Sequence, residues 1–83
     1  MNIFVGNLNT NLDERALRTI FKEYGEIKSL TITKDLYTHR SRGYGFVEMW
    51  QDNDGLAAIE KLNNKNFLGK RIVVSKAKPD YNK

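Results

Sequence analysis

Residues 42–49 read Arg42, Gly43, Tyr44, Gly45, Phe46, Val47, Glu48, Met49, and both parities of the stretch carry apolar groups. Successive side chains of an extended chain point to opposite faces, so Tyr44 and Phe46 share one side while Val47 and Met49 share the other. A strand loaded on both faces belongs in the middle of a sheet. Residues 2–6 repeat the pattern, with Ile3 and Val5 on one parity and Phe4 on the other. Residues 28–33 and 71–76 differ. There Leu30, Ile32, Ile72 and Val74 make one aliphatic parity, and Ser29, Thr31, Thr33, Arg71, Val73 and Ser75 make a mostly polar or small one. Strands with a single dry face fit the edges.

Two helices separate these strands, read over residues 12–26 and 51–65. In the first, Leu17, Ile20, Phe21 and Tyr24 recur at i, i+3, i+4 and i+7, one buried face of an amphipathic helix. Asp13 is its expected N-cap, Leu12 and Leu17 stand at the spacing of a hydrophobic staple, and Gly25 supplies a left-handed stop. The second starts from a cap at Asp52 or Asn53, buries Leu56, Ala58, Ile59 and Leu62, and ends at Asn63 and Asn64, which tolerate left-handed geometry.

The order is therefore βαββαβ, which predicts an α+β, ferredoxin-like sandwich with a four-stranded antiparallel sheet in the order 4-1-3-2. Two helices cover only one face of such a sheet, and the aliphatic parity claims it. Phe4, Tyr44 and Phe46 are left together on the open face. A contiguous exposed aromatic cluster ringed by polar groups marks a binding surface, whereas scattered apolar residues do not.

With 83 residues and no cysteine, the chain is expected to form one domain over residues 1–78, followed by a short polar tail at 79–83, stabilised by packing rather than by disulfides or thiolate-bound metal. No apolar run of about 18 residues is present and the N-terminal segment is too short for a signal peptide, so the expectation is a cytoplasmic protein with no membrane association. The net charge of +4 is unevenly placed. Acids outnumber bases in the helical segments, while Lys28, Lys34, Arg40, Arg42, Lys70, Arg71, Lys76, Lys78 and Lys83 in the strands, loops and tail face only Asp35, Glu48 and Asp80. The positive field belongs to the strands, their loops and the tail, a distribution that hints at a polyanionic partner.

Ile3, Phe4, Val5, Gly6, Asn7 and Leu8 look like the hexamer motif of the RNA recognition motif family. Residues 42–49 match that family's octamer pattern, a basic residue followed by G-F/Y-G/A-F-V-x-F/Y, at every fixed position except the last, where Met49 stands. The parity of Met49 points it into the core, where a flexible thioether fills an aromatic's space. A second departure is His39, in a loop where the family often has glycine. The resemblance spans residues 2–78 and is strongest to small single-motif bacterial proteins.

The resemblance implies binding of single-stranded RNA, with single-stranded DNA an open alternative because stacking does not read the 2′-hydroxyl. Phe4 and Phe46 would stack two neighbouring bases, with Tyr44 against the sugars or a third base. Arg42 occupies the place of the family's phosphate contact. Gly43 and Gly45 are read as keeping the strand narrow for close approach of a backbone. Asn2, Thr31, Glu48, Arg71 and Ser75 share the face and could hydrogen-bond base edges, and the main chain at Lys76 to Lys78 would frame the base over Phe4. Trp50 is read as covering the end of the core, the alternative being an extension of the ring platform. The implied role is post-transcriptional regulation or RNA chaperoning by a monomer.

An enzyme finds no support. His39 is the only histidine, there is no Cys nucleophile, and no cofactor or metal ligand set is discernible. A peptide-binding module is the other competitor, but relatives of that kind typically lack the sheet aromatics.

Overall fold

The computed structural model describes residues 1–77, so Lys78 and the expected tail at 79–83 lie outside the described residues. Strands β1 (Asn2–Gly6) and β3 (Ser41–Met49) are the centre of a four-stranded sheet, flanked by β2 (Ile27–Lys34) and β6 (Val73–Lys76) in the order β2-β3-β1-β6. All three pairings are antiparallel, and the order is the expected one read from the other end. Helices α1 (Glu14–Lys22) and α2 (Asp52–Leu62) bury the aliphatic parity. Ile3, Val5, Ile32, Val47, Met49, Ile72 and Val74 from the sheet side pack with Leu17, Phe21, Ala58 and Leu62 from the helices. Complete burial of such a side chain stabilises the fold by roughly 1.5–3 kcal/mol, so this layer is the principal source of stability. Met49 is inside, as its parity requires.

Helix α1 begins as expected: Asp13 Oδ1 accepts the Ala16 amide at 2.8 Å and satisfies one of the free donors of the first turn. Glu14 has an unanticipated part, its Oε2 accepting the Ile32 amide at 2.9 Å. That amide lies where the β2–β3 register shifts, between Ile32 and Lys34, and the carboxylate ties α1 to the strand there. Helix α2 departs from expectation at two points. Its N-cap is Gln51, which makes no side-chain cap bond, and Leu56 is exposed instead of buried. The buried face runs through Gly55, Ala58 and Leu62, because glycine and alanine let the helix lie close to the sheet and rotate Leu56 out.

The stretch expected as one strand over 71–76 is divided. Asn66–Phe67 (β4) and Lys70–Arg71 (β5) pair in a separate ribbon closed by Leu68 and Gly69 at φ of 53° and 82°. Asn66 Oδ1 accepts the Gly69 amide at 3.1 Å and holds this turn. Ile72 lies between ribbon and sheet, its amide bonded to the Lys65 carbonyl and its carbonyl to the Asn64 amide. Asn63 Oδ1 then accepts the Val74 amide at 2.9 Å, fastening the end of α2 to β6. Asn64 has a φ of 71°, the left-handed geometry expected of it.

Candidate nucleic-acid interface

The open face is organised by the ladder. Phe4 pairs across with Phe46 on one side and Ser75 on the other, and Phe46 pairs with Thr31, so Thr31, Phe46, Phe4 and Ser75 form one row across all four strands. Ser29, Glu48 and Asn2 form the next row. Ring centroids lie 5.7 Å apart for Phe4 and Phe46, 6.1 Å for Phe4 and Tyr44, and 6.4 Å for Tyr44 and Phe46. The interplanar angles of 64°, 32° and 89° are edge-on or tilted arrangements, the kind aromatic quadrupoles favour. All three rings are partly exposed, on the side that the helices leave bare.

Glycines make this surface possible. A Cβ on Gly6 would stand 2.8 Å from the Phe4 ring, so the missing side chain is the space the ring occupies. At Gly45 a Cβ would run into the Thr31 carbonyl and come within 2.9 Å of the Ile32 Cα. The backbone that approaches Gly45 is thus that of β2, on the buried side. Gly43 is required by its φ of 86°, where β3 shifts register against β2.

The remaining expected residues are placed less uniformly. Thr31 and Ser75 share the row of Phe4 and Phe46, and Asn2 and Glu48 stand in the row beside it. Arg42 is exposed near the start of β3. Arg71 belongs to the ribbon and not to the sheet, its carbonyl held by the Asn7 side-chain amide at 2.8 Å. Lys76 pairs with Ile3, so its side chain leaves with the helix-side parity; the neighbouring Ala77 amide bonds the Asn2 carbonyl. Lys78 is outside the described residues. Val73 was not singled out by its sequence. It pairs with Gly6 on the face of the rings, is 45% exposed and widens the apolar platform beside Phe4. Its valine at a polar-parity position was the available signal.

Trp50 does not cover the core. It is 58% exposed, with the Lys28 ammonium 5.1 Å from its ring centroid. The loop between β2 and β3 has definite geometry as well. Asp35 Oδ1 accepts the Tyr37 and Thr38 amides at 2.8 and 3.0 Å, and His39 takes a φ of 61°, the conformation that glycine adopts most readily. The Thr38 amide, the Tyr37 amide and the Arg42 charge together hold the Asp35 carboxyl below its ordinary range.

Residues 3–73 match the sequence profile described as the RNA recognition motif. The chain belongs to the RNA recognition motif family. Among this family's members, the RbpB protein of Nostoc sp. (strain PCC 7120), which its name designates as RNA-binding, is 44% identical over 79 residues, 95% of this chain and 77% of that protein. The crystal structure of an RNA-binding protein, PG1, overlays with a TM-score of 0.90 at 44% identity, covering 93% of each chain. The Sxl-lethal protein in its RNA complex overlays with a TM-score of 0.90 at 35% identity, covering 94% of this chain and 47% of that one. Among the described residues of this RNA recognition motif, no helix is long and apolar enough to cross a membrane, and no acid, His or Cys cluster forms a metal site.

Proposed function

We propose that this domain binds single-stranded RNA on the open face of its sheet, stacking bases on Phe4 and Phe46 and holding phosphates with basic residues at the rim. The observation that carries this reading is the three-ring cluster, three partly exposed aromatics with centroids 5.7–6.4 Å apart on the uncovered face of a family member. Each stacked base contributes roughly 1–3 kcal/mol. Tyr44 serves a sugar or third base, Arg42 a phosphate, and Asn2, Thr31, Glu48 and Ser75 offer donors and acceptors to base edges. Arg71 acts at the margin and the main chain at Lys76 frames the base over Phe4, while Lys78, outside the described residues, is a further expected contact. Binding of this kind fits a cytoplasmic regulator or chaperone of transcripts, which fractionation of cells together with crosslinked RNA would test.

A flat sheet cannot enter the deep, narrow major groove of A-form RNA, and stacking needs unpaired bases. Competition between a single strand and a fully paired hairpin of the same composition is therefore the deciding experiment. The single strand should displace the hairpin. Equal affinity for the two would leave only phosphate attraction and reject the stacking mechanism.

A further inference from the structure

Beyond the three rings, the same face continues toward a cluster on the far side of Glu48. The ladder pairs Ile27 with Met49 and Ser29 with Glu48, so β2 has one residue more than β3 between these points, and that residue is Lys28. Such a bulge re-aims side chains. Lys28 Nζ lies 3.5 Å from Glu48 Oε2, and the Ser29 hydroxyl lies 3.4 Å from Glu48 Oε1. The same ammonium sits over the Trp50 ring. Main-chain bonds fix the start of this segment, with the Met49 amide on the Met1 carbonyl at 3.0 Å and the Trp50 amide on the Glu26 carbonyl at 3.3 Å. A large indole is thereby held in solvent on an anchored backbone.

Spacing gives the cluster its meaning. Alternate residues of a strand are about 7 Å apart, so Glu48 lies one such step beyond Phe46, and Trp50, the first residue past the end of β3, is linked to Glu48 by the Lys28 ammonium that both contact. We propose that Lys28, Glu48 and Trp50 form an additional subsite for single-stranded nucleic acid, which continues the path of the strand past Phe46. A base stacks on Trp50 as the Lys28 ammonium, which sits over the ring, turns toward the nucleic-acid backbone. Lys28 meets the adjoining phosphate, and the Glu48 carboxylate accepts a hydrogen bond from the exocyclic amino group of the intervening base. A carboxylate at that position disfavours uracil, which has no amino donor there. Lys28 also offsets the repulsion that Glu48 alone would exert on the phosphates. The subsite rests on the stacking function proposed above.

Trp50 is the only tryptophan of the chain, so its emission reports this subsite alone. The full chain would be titrated with oligoadenylates of about three and about six nucleotides, following affinity and tryptophan emission together. The longer strand should quench Trp50 more than the shorter one. Trp50→Ala should weaken the longer strand by roughly fivefold to a hundredfold and leave the shorter nearly unchanged, while Trp50→Phe retains most of the affinity. Replacing adenylate by uridylate should remove part of the gain with length, and Glu48→Gln should reduce that discrimination. Tight, Phe46-dependent binding of the longer strand with unchanged emission and an inert Trp50→Ala would overturn the subsite and leave the three-ring platform intact. Quenching whose midpoint does not shift in Phe46→Ala would instead support the subsite and count against the platform.

Discussion

Phe4 and Phe46 are direct register partners across β1 and β3, with ring centroids 5.7 Å apart and planes at 64°. Each is followed or preceded in its strand by a fully buried aliphatic, Ile3 before Phe4 and Val47 after Phe46. Neighbouring residues therefore serve separate purposes, one set the core and the other the open face.

Substitutions on the two faces should separate accordingly. Phe4→Ala and Phe46→Ala are each expected to weaken single-strand RNA binding by roughly 1–3 kcal/mol, and to lower fold stability by about 1–3 kcal/mol through loss of two ring–ring contacts, without unfolding the domain. Ile3→Ala should cost the fold about 2–5 kcal/mol. Thermal melts beside binding titrations would reveal an inverted assignment if the phenylalanine variants unfolded while Ile3→Ala melted normally.

Charge and stacking respond differently to salt. With about two to four phosphates contacted, log affinity should fall against log salt with a slope of roughly −1.4 to −2.8, near −0.7 per contact for a single strand. Arg42→Ala should make the slope shallower by about 0.7, whereas Phe46→Ala should lower affinity at every salt concentration and leave the slope alone. Parallel lines for wild type and Arg42→Ala would remove Arg42 from the phosphate path.

Gly45→Ala tests the close approach of β2. Its Cβ would meet main chain, at Thr31 and Ile32, which cannot swing aside as a side chain can. Overpacking of this kind costs about 1–3 kcal/mol. Hydrogen exchange should show the loss concentrated in the β2–β3 ladder, and an alanine variant as protected as wild type would mean that the ladder accommodates the Cβ without strain.

The β2–β3 loop should respond to acid through Asp35. Its folded-state pKa is lowered by the amides of Thr38 and Tyr37 and by Arg42. The turn's contribution to stability is thus fully present above the value of the unfolded chain and is lost as pH falls through the lowered folded value. Amide resonances of Tyr37 and Thr38 should titrate with a midpoint below that of an unstructured aspartate, and Asp35→Asn should abolish the transition. A midpoint at or above the ordinary value would contradict the hydrogen-bonded turn.

Alternation with period two and helical periodicity are local signals, and they were enough to order the elements, assign the central strands and put Phe4, Tyr44 and Phe46 on one face. Short or irregular features escaped for lack of a period. A ribbon of two-residue strands has no alternation to read, so β4 and β5 went unread apart from Arg71, which was counted with the expected strand over 71–76 and belongs instead to the ribbon. The bulge at Lys28 is equally silent, because one extra residue shifts parity only relative to a partner strand. Leu56 obeyed helical spacing yet faces solvent, since the depth at which α2 lies is set by the sheet beneath Gly55 and Ala58.

The sequence by itself determined which side chains must avoid water and which could not all do so, and that division decided the fold and the ringed face. Tertiary structure alone decided where Trp50 goes. Its parity allowed either a core edge or the open face, and the choice depended on the backbone bond to Glu26 and on an ammonium carried to it by a bulge in another strand. Contacts between residues distant in the chain are fixed by register and close packing, and neither is written in the spacing of a single strand.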